Sequence, residues 1–407
     1  MQQSDSPGSH GLENVEVSVV IPCLNEVDTI VTCINKAKEG LAAADAVGEI
    51  IVADNGSTDN SVILAKSAGA RVVLEPRRGY GNALRAGIAA AKGRFVIIGD
   101  ADDSYDFREI PKFIEALRRG YDYVQGCRLP SGGGRILPGA MPFLHRWWGN
   151  PMFSMIARWW FGAKVRDAYC GFRAFRRDFY EKLNLRSTGM EFAVEMVIRA
   201  GMLGARAVDV PITLHVDGRR SHRPHLRTFR DGWRTLRLLL IYSPRWLYFL
   251  PGMVLVAAGL IGYALALPGA RVGRATLDAH TLLFASLFIL CGYQAILFGL
   301  LTKAFSVAEG LLPPDPAIGW FRRVITLERG LMLSAVALVA GLTLLGSAVN
   351  EWRKVNFGNL DYARTMRRVI PGATLTALAI QTVFNSFLLS ILEIRKDSST
   401  DTKTAPD

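Results

Sequence analysis

Four apolar runs in the second half of the chain restrict the folds open to it more than any other feature. Each has about 20 residues, the length that a helix needs to cross the hydrocarbon core of a bilayer. They cover residues 247–268, 281–301, 331–349 and 371–392. Because no β-rich stretch lies between them, buried core helices are the weaker explanation. The pattern predicts an α-helical transmembrane domain of about four helices over residues 247–392, followed by a polar tail at 393–407.

The first half of the chain alternates short β-rich runs with helical stretches. The β-rich runs start at Val17, Glu49, Arg71, Arg94 and Tyr121. Near-continuous apolar strands that alternate with helices are typical of a parallel sheet covered by helices on both faces. We therefore predict an α/β domain with a Rossmann-like, mainly parallel sheet over residues 17–218, after a disordered N-terminus at 1–16.

The chain of 407 residues is both apolar and basic, with a mean hydropathy of +0.20 and a formal net charge of +12. Half of its residues are hydrophobic, which excludes a disordered chain. Its five cysteines are scattered without a C-x-x-C pair, which excludes a disulfide framework and a zinc site. The basic surplus leaves two kinds of partner open, a nucleic acid and an anionic membrane surface.

The position of the arginines favours the membrane. Residues 219–246 directly precede the first apolar run and carry eight arginines against one acidic residue, Asp231. The sequence has no nucleic-acid-binding motif, so we expect no nucleic-acid partner. Basic residues in the loops between the later runs are equally numerous on the two sides, so they do not decide the orientation. The arginine-rich stretch does, and it predicts an α/β domain on the cytoplasmic face of the cell membrane.

Two stretches combine aromatic residues with arginines at helical spacing. One is 142–161, which contains four tryptophans, and the other is 225–242, where Phe229 and Trp233 fall on one helix face. Such residues suit a helix that lies in the headgroup layer, and a core-facing helix is the alternative. We expect an amphipathic interfacial helix at 142–161 and a basic loop with a juxtamembrane helix at 219–246.

Polar clusters follow three of the predicted strands, at residues 22–26, 54–59 and 100–104. Ligands of open parallel sheets bind at the carboxyl ends of strands. Asp100 and Asp102 are so close in sequence that they repel each other unless a divalent cation neutralises them. Oxygen ligands favour Mg²⁺ or Mn²⁺, typically shared with a substrate diphosphate. A helix start at Phe107 that both acids cap is the alternative explanation.

Six motifs together resemble glycosyltransferase family 2 enzymes of GT-A fold, and within them the dolichyl- or polyprenyl-phosphate branch that includes dolichyl-phosphate mannose synthase. They follow the family's order and spacing and lie between residues 17 and 237. The motifs are Val19-Val-Ile-Pro-Cys-Leu-Asn-Glu26, Ile51-Val-Ala-Asp-Asn-Gly-Ser-Thr-Asp59, Gly79-Tyr-Gly-Asn82, Asp100-Ala-Asp-Asp-Ser104, Gly126-Cys-Arg128 and Asp167-Ala-Tyr-Cys-Gly-Phe-Arg-Ala-Phe175.

The resemblance implies roles for the matching residues on the donor side. Asp100 and Asp102 would hold the metal on the diphosphate, with Ser104 as a third ligand. The base, ribose and nucleotide would be bound by Pro22, Leu24, Glu26 and Asp54. The basic loop that closes over the diphosphate would contain Arg219, Arg220, Ser221 and His222.

On the acceptor side, the resemblance implies that Arg128 and Arg146 bind the acceptor's phosphate, a task suited to guanidinium groups. Residues 190–195 resemble the helix that supplies carboxylates near the acceptor. Asp102 would act in catalysis through the metal, together with these two arginines.

These roles imply a membrane-bound, inverting and metal-dependent transferase. It would move a hexose from a nucleotide sugar, of the UDP-glucose or GDP-mannose type, to a polyprenyl or dolichyl phosphate in glycan assembly. The lipid-phosphate oxygen would attack directly, with Mg²⁺ or Mn²⁺ on the leaving diphosphate. The expected partners are the donor, the lipid acceptor and the membrane, with a homo-oligomer left open.

Two alternatives remain at this point. A processive polysaccharide synthase also joins this fold to membrane helices, but its Gln-x-x-Arg-Trp signature is missing here, although Arg-Trp pairs occur at 146–147, 158–159 and 245–246. A non-catalytic membrane scaffold or flippase would carry a degenerate transferase domain. The intact pair of Asp100 and Asp102 argues against that alternative.

Overall fold

The computed structural model describes residues 15–220, 228–273, 275–314 and 326–400. The chain divides into two units, Met1–Leu239 and Leu240–Asp407, which correspond to the α/β and helical regions expected from the sequence.

The first unit is built on a seven-stranded sheet with the order β3-β2-β1-β4-β7-β5-β8. Its strands are β1 Val17–Cys23, β2 Gly48–Asp54, β3 Arg71–Leu74, β4 Phe95–Ile98, β5 Tyr123–Cys127, β7 Arg173–Arg176 and β8 Ala207–Pro211. Two shorter strands, β6 Arg135–Ile136 and β9 Thr213–Leu214, pair in parallel outside it.

The sheet is mainly parallel, as predicted, and its one antiparallel strand among the described residues is β7, which lies between β4 and β5. All five strands expected from the sequence are present within about two residues of their expected bounds. Neither β7 nor β8 was expected. β7 has four residues, of which two are the arginines Arg173 and Arg176, so it lacks the apolar run that marks a buried strand.

Helices cover both faces of the sheet. They are α1 Ile30–Ala43, α2 Ser61–Ser67, α3 Tyr80–Ala90, α4 Ile110–Arg118, α5 Asn150–Phe161, α6 Arg177–Leu183 and α7 Phe192–Met202, with a π-helical turn at His145–Gly149 directly before α5. A further helix, α8 Thr228–Tyr242, contains the boundary between the two units. Successive residues of β1 point to opposite faces, as the period of a strand requires. Val19 and Ile21 therefore belong to one apolar core and Val20 to the other.

The second unit contains four helices long and apolar enough to cross a membrane, in agreement with the prediction. They are Arg245–Ala266, Ala279–Ala308, Leu327–Lys354 and Tyr362–Leu392, which we call spanning helices one to four. The helix of the fourth continues to Thr400, so it includes the first part of the expected polar tail. A two-stranded hairpin, Arg271–Val272 with Ala275–Thr276, lies between the first two.

Glycines bring the spanning helices into close contact. A Cβ atom on Gly292 would lie 2.6 Å from the carbonyl oxygen of Gly252, so the backbones of helices one and two touch at this point. A Cβ on Gly341 would lie 2.8 Å from the carbonyl oxygen of Gly372, which joins helices three and four in the same way. In lipid, where apolar burial drives association weakly, such backbone contacts and interhelical hydrogen bonds hold helices together.

We predict that Gly292→Leu destabilises the second unit, because its side chain has no space between helices one and two. Overpacking of this kind costs about 1–3 kcal/mol. Gly346→Leu is the matched control, since a Cβ there meets no heavy atom within 4 Å. Thermal unfolding of the full chain in detergent should show a lower midpoint for the first variant alone. Equal midpoints for the two variants would contradict the packing described.

Candidate active site

The acidic and polar clusters expected at strand ends meet at one edge of the sheet. β1 pairs in parallel with β2 on one side and with β4 on the other. Its last residue, Cys23, is in register with Asp54, and Asp100 follows the end of β4 by two residues. The polar clusters at 22–26 and 54–59 therefore lie side by side, and the cluster at 100–104 lies on the other side of β1.

The loops after β1 and β2 are locked together by hydrogen bonds. The Asn25 amide donates to Ser57 Oγ at 2.9 Å, and the Thr58 amide donates to Asn25 Oδ1 at 2.8 Å. Asn25 has a φ of +60°, a left-handed conformation that asparagine tolerates. The carboxylate of Asp54 accepts from the Gly56 and Ser57 amides. Asp54 thus holds its own loop, while Pro22 and Leu24 flank it on β1 and the following loop, half-buried.

Glu26 and Arg219 form a buried ion pair at this edge. Arg219 Nε donates to Glu26 Oε2 at 2.7 Å and Nη2 donates to Oε1 at 2.6 Å, a bidentate geometry. The amide of Glu26 donates to Ser61 Oγ at 2.8 Å, which fixes the residue against α2. Of the other residues expected in the closing loop, Arg220 donates its amide to Asp28, and Ser221 and His222 lie outside the described residues.

Asp100 is the buried member of the acidic pair. The Tyr80 hydroxyl donates to its Oδ1 at 2.9 Å, and a Cβ on Gly171 would lie 2.5 Å from its Oδ2. Burial, followed by the charge of Asp102, raises the pKa of Asp100 to about 6. A divalent cation would stabilise the charged form of Asp100 beside Asp102.

Asp102 has both carboxylate oxygens engaged. Its Oδ1 accepts from the Ser104 amide at 3.1 Å and from the Ser104 hydroxyl at 2.6 Å, and its Oδ2 lies 3.3 Å from Arg219 Nη1. The short helical turn at Phe107 is capped instead by Asp106, whose side chain accepts from the Arg108 amide. Helix capping at Phe107 therefore does not explain Asp100 and Asp102.

The donor set of this edge fits a cation that is shared with a substrate. Asp100 and Asp102 supply carboxylate oxygens, and the Ser104 hydroxyl is adjacent. In the described part of the chain, no group of three or more His, Cys, Asp or Glu side chains is arranged to hold a metal. Two carboxylates leave most positions of a Mg²⁺ or Mn²⁺ shell to phosphate oxygens and water, as is usual for diphosphate-bound metals.

Arg128 is buried in an ion pair of its own. Its Nε and Nη2 donate to Asp167 Oδ2 and Oδ1, each at 2.8 Å, and only 7% of the residue is exposed. Arg146 lies in the π-helical turn, with its guanidinium over the ring of Trp147 at 5.4 Å and a buried Nε without a hydrogen bond in the described structure. Burial and then the charge of Arg128 lower the pKa of His145, so this turn lies within electrostatic range of Arg128.

Several residues of the site were not found from the sequence. Tyr80 lies in the motif Gly79-Tyr-Gly-Asn82 but had no expected role, because only the fold brings its hydroxyl to Asp100. Asp217 pairs with Arg219 at 2.8 Å. Glu195, by contrast, lies in the stretch 190–195 that the resemblance placed near the acceptor. It is 1% exposed and accepts from the Arg186 and Ser187 amides, so it holds a loop.

Aromatic residues lie on the exposed face of the helical stretch expected to be interfacial. α5 buries the small residues Asn150, Ser154 and Ala157 against the first unit. Four large aromatic side chains of this stretch are 59–75% exposed instead, and we call them the aromatic ridge: Phe143, Trp147, Trp148 and Trp159. Phe229 and Trp233 on α8 are exposed as well. Phe161 and Tyr242 are buried at the ends of these stretches, so the choice between an interfacial and a core-facing helix stays a prediction, in which the exposed aromatic residues favour the interfacial side.

Comparisons with known proteins identify the family. The profile described as "Glycosyl transferase family 2" matches residues 18–183, and the one described as "Glycosyltransferase family 2 C-terminal transmembrane region" matches residues 300–393. The chain is 37% identical over 378 residues to the low-salt glycan biosynthesis hexosyltransferase Agl6 of Haloferax volcanii. The matched region covers 92% of this chain and 89% of the relative. It is 32% identical over 201 residues to the dolichyl-phosphate hexose transferase of the same organism, with 48% of this chain and 82% of the relative covered.

Among solved structures, the glucosyl-3-phosphoglycerate synthase of Mycobacterium tuberculosis in complex with Mn²⁺, UDP and glucosyl-3-phosphoglycerate is similar, with a TM-score of 0.44 and 24% identity over 55% of this chain and 78% of that one. The similarity to Agl6 extends through both units, as the two profiles do. This chain therefore belongs to glycosyl transferase family 2 and is a membrane glycosyltransferase with a GT-A catalytic domain.

Proposed function

We propose that this chain is an inverting, metal-dependent hexosyltransferase that moves one hexose from a nucleotide sugar to a polyprenyl or dolichyl phosphate. The observation that carries the proposal is the pair of Asp100 and Asp102 at the strand edge, beside the buried pair of Glu26 and Arg219. Two relatives support the class of reaction by name, a glycan biosynthesis hexosyltransferase and a dolichyl-phosphate hexose transferase.

The donor would bind along the edge formed by β1, β2 and β4. Pro22, Leu24, Glu26 and Asp54 would surround the base and ribose, and Asp100 and Asp102, with Ser104, would hold the metal. When bound, Mg²⁺ or Mn²⁺ would neutralise the charge that develops on the departing nucleoside diphosphate. Tyr80 keeps Asp100 in a fixed orientation for this task through its hydroxyl.

The acceptor's phosphate would need positive charge and no strong base, because a phosphate dianion is already nucleophilic near neutral pH. Arg146 is the better placed of the two expected arginines, since its buried Nε makes no hydrogen bond in the described structure. Arg128 already donates to Asp167, so we assign it the positioning of the loop that carries Asp167. Glu195 is held by backbone amides, in keeping with a mechanism without a general base.

The enzyme would work in the cell membrane with its catalytic unit on the cytoplasmic face. The arginine-rich stretch before the first spanning helix supports this orientation. The nucleotide sugar would then come from the cytoplasm, while the lipid phosphate would come from the bilayer.

The first test replaces the metal ligand. Asp102→Asn should lower hexose transfer from nucleotide sugar to polyprenyl phosphate on the order of a hundredfold or more, because the leaving diphosphate loses its neutralising charge. The matched control is Asp103→Asn. Asp103 pairs with Lys36 at 2.7 Å and has a φ of +61°, which asparagine also adopts. Near-normal transfer by Asp102→Asn in the presence of Mn²⁺ would contradict the assignment of Asp102 as a metal ligand.

The product of the same reaction decides between the functional classes. A panel of UDP- and GDP-sugars with radiolabelled hexose should yield a lipid carrying a single sugar. A labelled polymer would identify a processive polysaccharide synthase instead. No transfer with any donor of the panel would favour a non-catalytic scaffold or flippase.

A second prediction concerns the space beneath Asp100. Gly171→Ala should weaken the apparent affinity for Mn²⁺ by about 10- to 100-fold, because its Cβ would collide with Asp100 Oδ2 and turn the carboxylate away. Gly232→Ala in α8, where a Cβ meets nothing within 4 Å, is the matched control. Transfer measured against Mn²⁺ concentration gives the affinity, and an unchanged value for Gly171→Ala would be evidence against this geometry.

A third prediction concerns the aromatic ridge, which we propose lies in the headgroup layer of the membrane that the spanning helices cross. Replacing Trp147 and Trp148 together by Ala should raise the KM for polyprenyl phosphate in vesicles several-fold and leave the KM for the donor unchanged. Ile63→Ala on α2, a side chain 62% exposed, is the control. Equal changes in both KM values would point to a general structural effect and against membrane contact.

A further inference from the structure

Arg219 connects the two halves of the proposed donor site. Its guanidinium contacts three carboxylates, although only 12% of its side chain is exposed. Nε and Nη2 bind Glu26, while Nη1 lies 2.8 Å from Asp217 Oδ2 and 3.3 Å from Asp102 Oδ2. One guanidinium group, that of Arg219, thus binds both Glu26 of the proposed nucleotide pocket and Asp102 of the proposed metal pair.

The position of Arg219 is fixed by the backbone around it. The Gly218 amide donates to the carbonyl oxygen of Asp102 at 2.9 Å, and the Arg219 amide donates to Asp217 Oδ1 at 2.8 Å. The turn is therefore tied both to the loop after β4 and to its own side chains. Burial lowers the pKa of Arg219, but the hydrogen bond to Glu26 and the charges of Asp102 and Asp217 outweigh it and raise the pKa above its ordinary value. The guanidinium is a permanent charge here.

This arrangement conflicts with metal binding at Asp102. Oδ1 of Asp102 is engaged by Ser104 and Oδ2 faces Arg219. A divalent cation that approaches this carboxylate must therefore compete with the guanidinium for an oxygen and is repelled by its charge. A diphosphate removes the conflict, because its anionic oxygens can bind the guanidinium of Arg219 in a bidentate manner, as a carboxylate does, and can also ligate the metal.

We infer that Arg219 is a positioning residue that couples metal binding to nucleotide binding. Before the donor arrives it holds Glu26 and Asp102, and when the donor binds it transfers its contact from Asp102 to the diphosphate. The inference rests on the proposed function, which makes Asp102 a metal ligand and Glu26 part of the nucleotide pocket. Metal and nucleotide then strengthen each other's binding, and the coupling is equal in both directions.

The test measures Mn²⁺ binding to the full chain in detergent without any transfer reaction. Free Mn²⁺ is followed by its electron paramagnetic resonance signal, with and without UDP. In the wild-type protein, Mn²⁺ should bind weakly alone and more tightly with UDP. Arg219→Met should bind Mn²⁺ alone more tightly, on the order of tenfold, since Asp102 is released, and the strengthening by UDP should shrink by a similar factor. A merely structural role for Arg219 would not produce tighter binding.

Two further variants keep the test decisive. Arg219→Lys retains the charge but cannot reach Glu26 and Asp102 with a planar fork, so its Mn²⁺ affinity should lie between those of the wild-type protein and Arg219→Met. Lys36→Met removes a positive charge beside Asp103 and leaves the contacts of Arg219 intact, so it should change Mn²⁺ affinity much less. A large gain in Lys36→Met would show that charge alone is responsible and would overturn the inference.

The inference and the proposed function fail in different ways. Unchanged or weaker Mn²⁺ binding by Arg219→Met, alongside wild-type binding that UDP strengthens, would overturn the role of Arg219 and leave the metal site standing. Absence of Mn²⁺ binding to the wild-type protein, with or without UDP, would overturn both. A negative product assay alongside the predicted Mn²⁺ coupling would overturn the transfer and leave the role of Arg219 supported.

Discussion

The catalytic unit depends on how negative charge is balanced at one edge of its sheet. Parallel pairing of β1 with β2 and β4 brings together acids that are far apart in the chain. Asp100 and Asp102 repel each other, and burial first, then the charge of Asp102, raise the pKa of Asp100 to about 6. The hydroxyl of Tyr80 and the guanidinium of Arg219 offset part of this repulsion. Both are groups that a bound cation can supplement or displace.

The antiparallel strand β7 supports this edge from within the sheet. Its first residue, Arg173, is fully buried and donates to the carbonyl oxygens of Cys170 and Ala193. The residues just before it bring Gly171 against Asp100 and Asp167 against Arg128. Breaking a buried pair such as Asp167 with Arg128 typically costs about 3–5 kcal/mol, because the remaining charge loses its partner. The motif at 167–175 therefore matters as a support for the acidic pair as much as for any contact with a substrate.

The sequence was informative wherever one chemical property repeats along the chain. Apolar runs predicted the four spanning helices and the parallel strands, and the acids after strands predicted the sheet edge at which they meet. It was uninformative about β7, because two arginines among four residues do not form an apolar run. It was also uninformative about Tyr80, whose partner Asp100 is distant in sequence, and about Asp217, whose ion pair with Arg219 appears only in the fold. The roles of individual residues in binding donor and acceptor stay predictions. Arg128 illustrates the reason, since its charge type is visible in the sequence but its partner, Asp167, 39 residues away, is not.

The two units are stabilised by different forces, and this explains why polar residues are tolerated in the fourth spanning helix. In the catalytic unit, strands and helices bury two apolar cores away from water. Lipid is as apolar as leucine, so the second unit needs directional contacts instead. The Tyr263 hydroxyl donates to Thr374 Oγ1 at 3.1 Å, and the Tyr293 and Thr382 hydroxyls lie 2.6 Å apart. Thr374 and Thr382, two polar residues of the fourth spanning helix, thus link it to helices one and two. The contact between Gly341 and Gly372 links it to helix three.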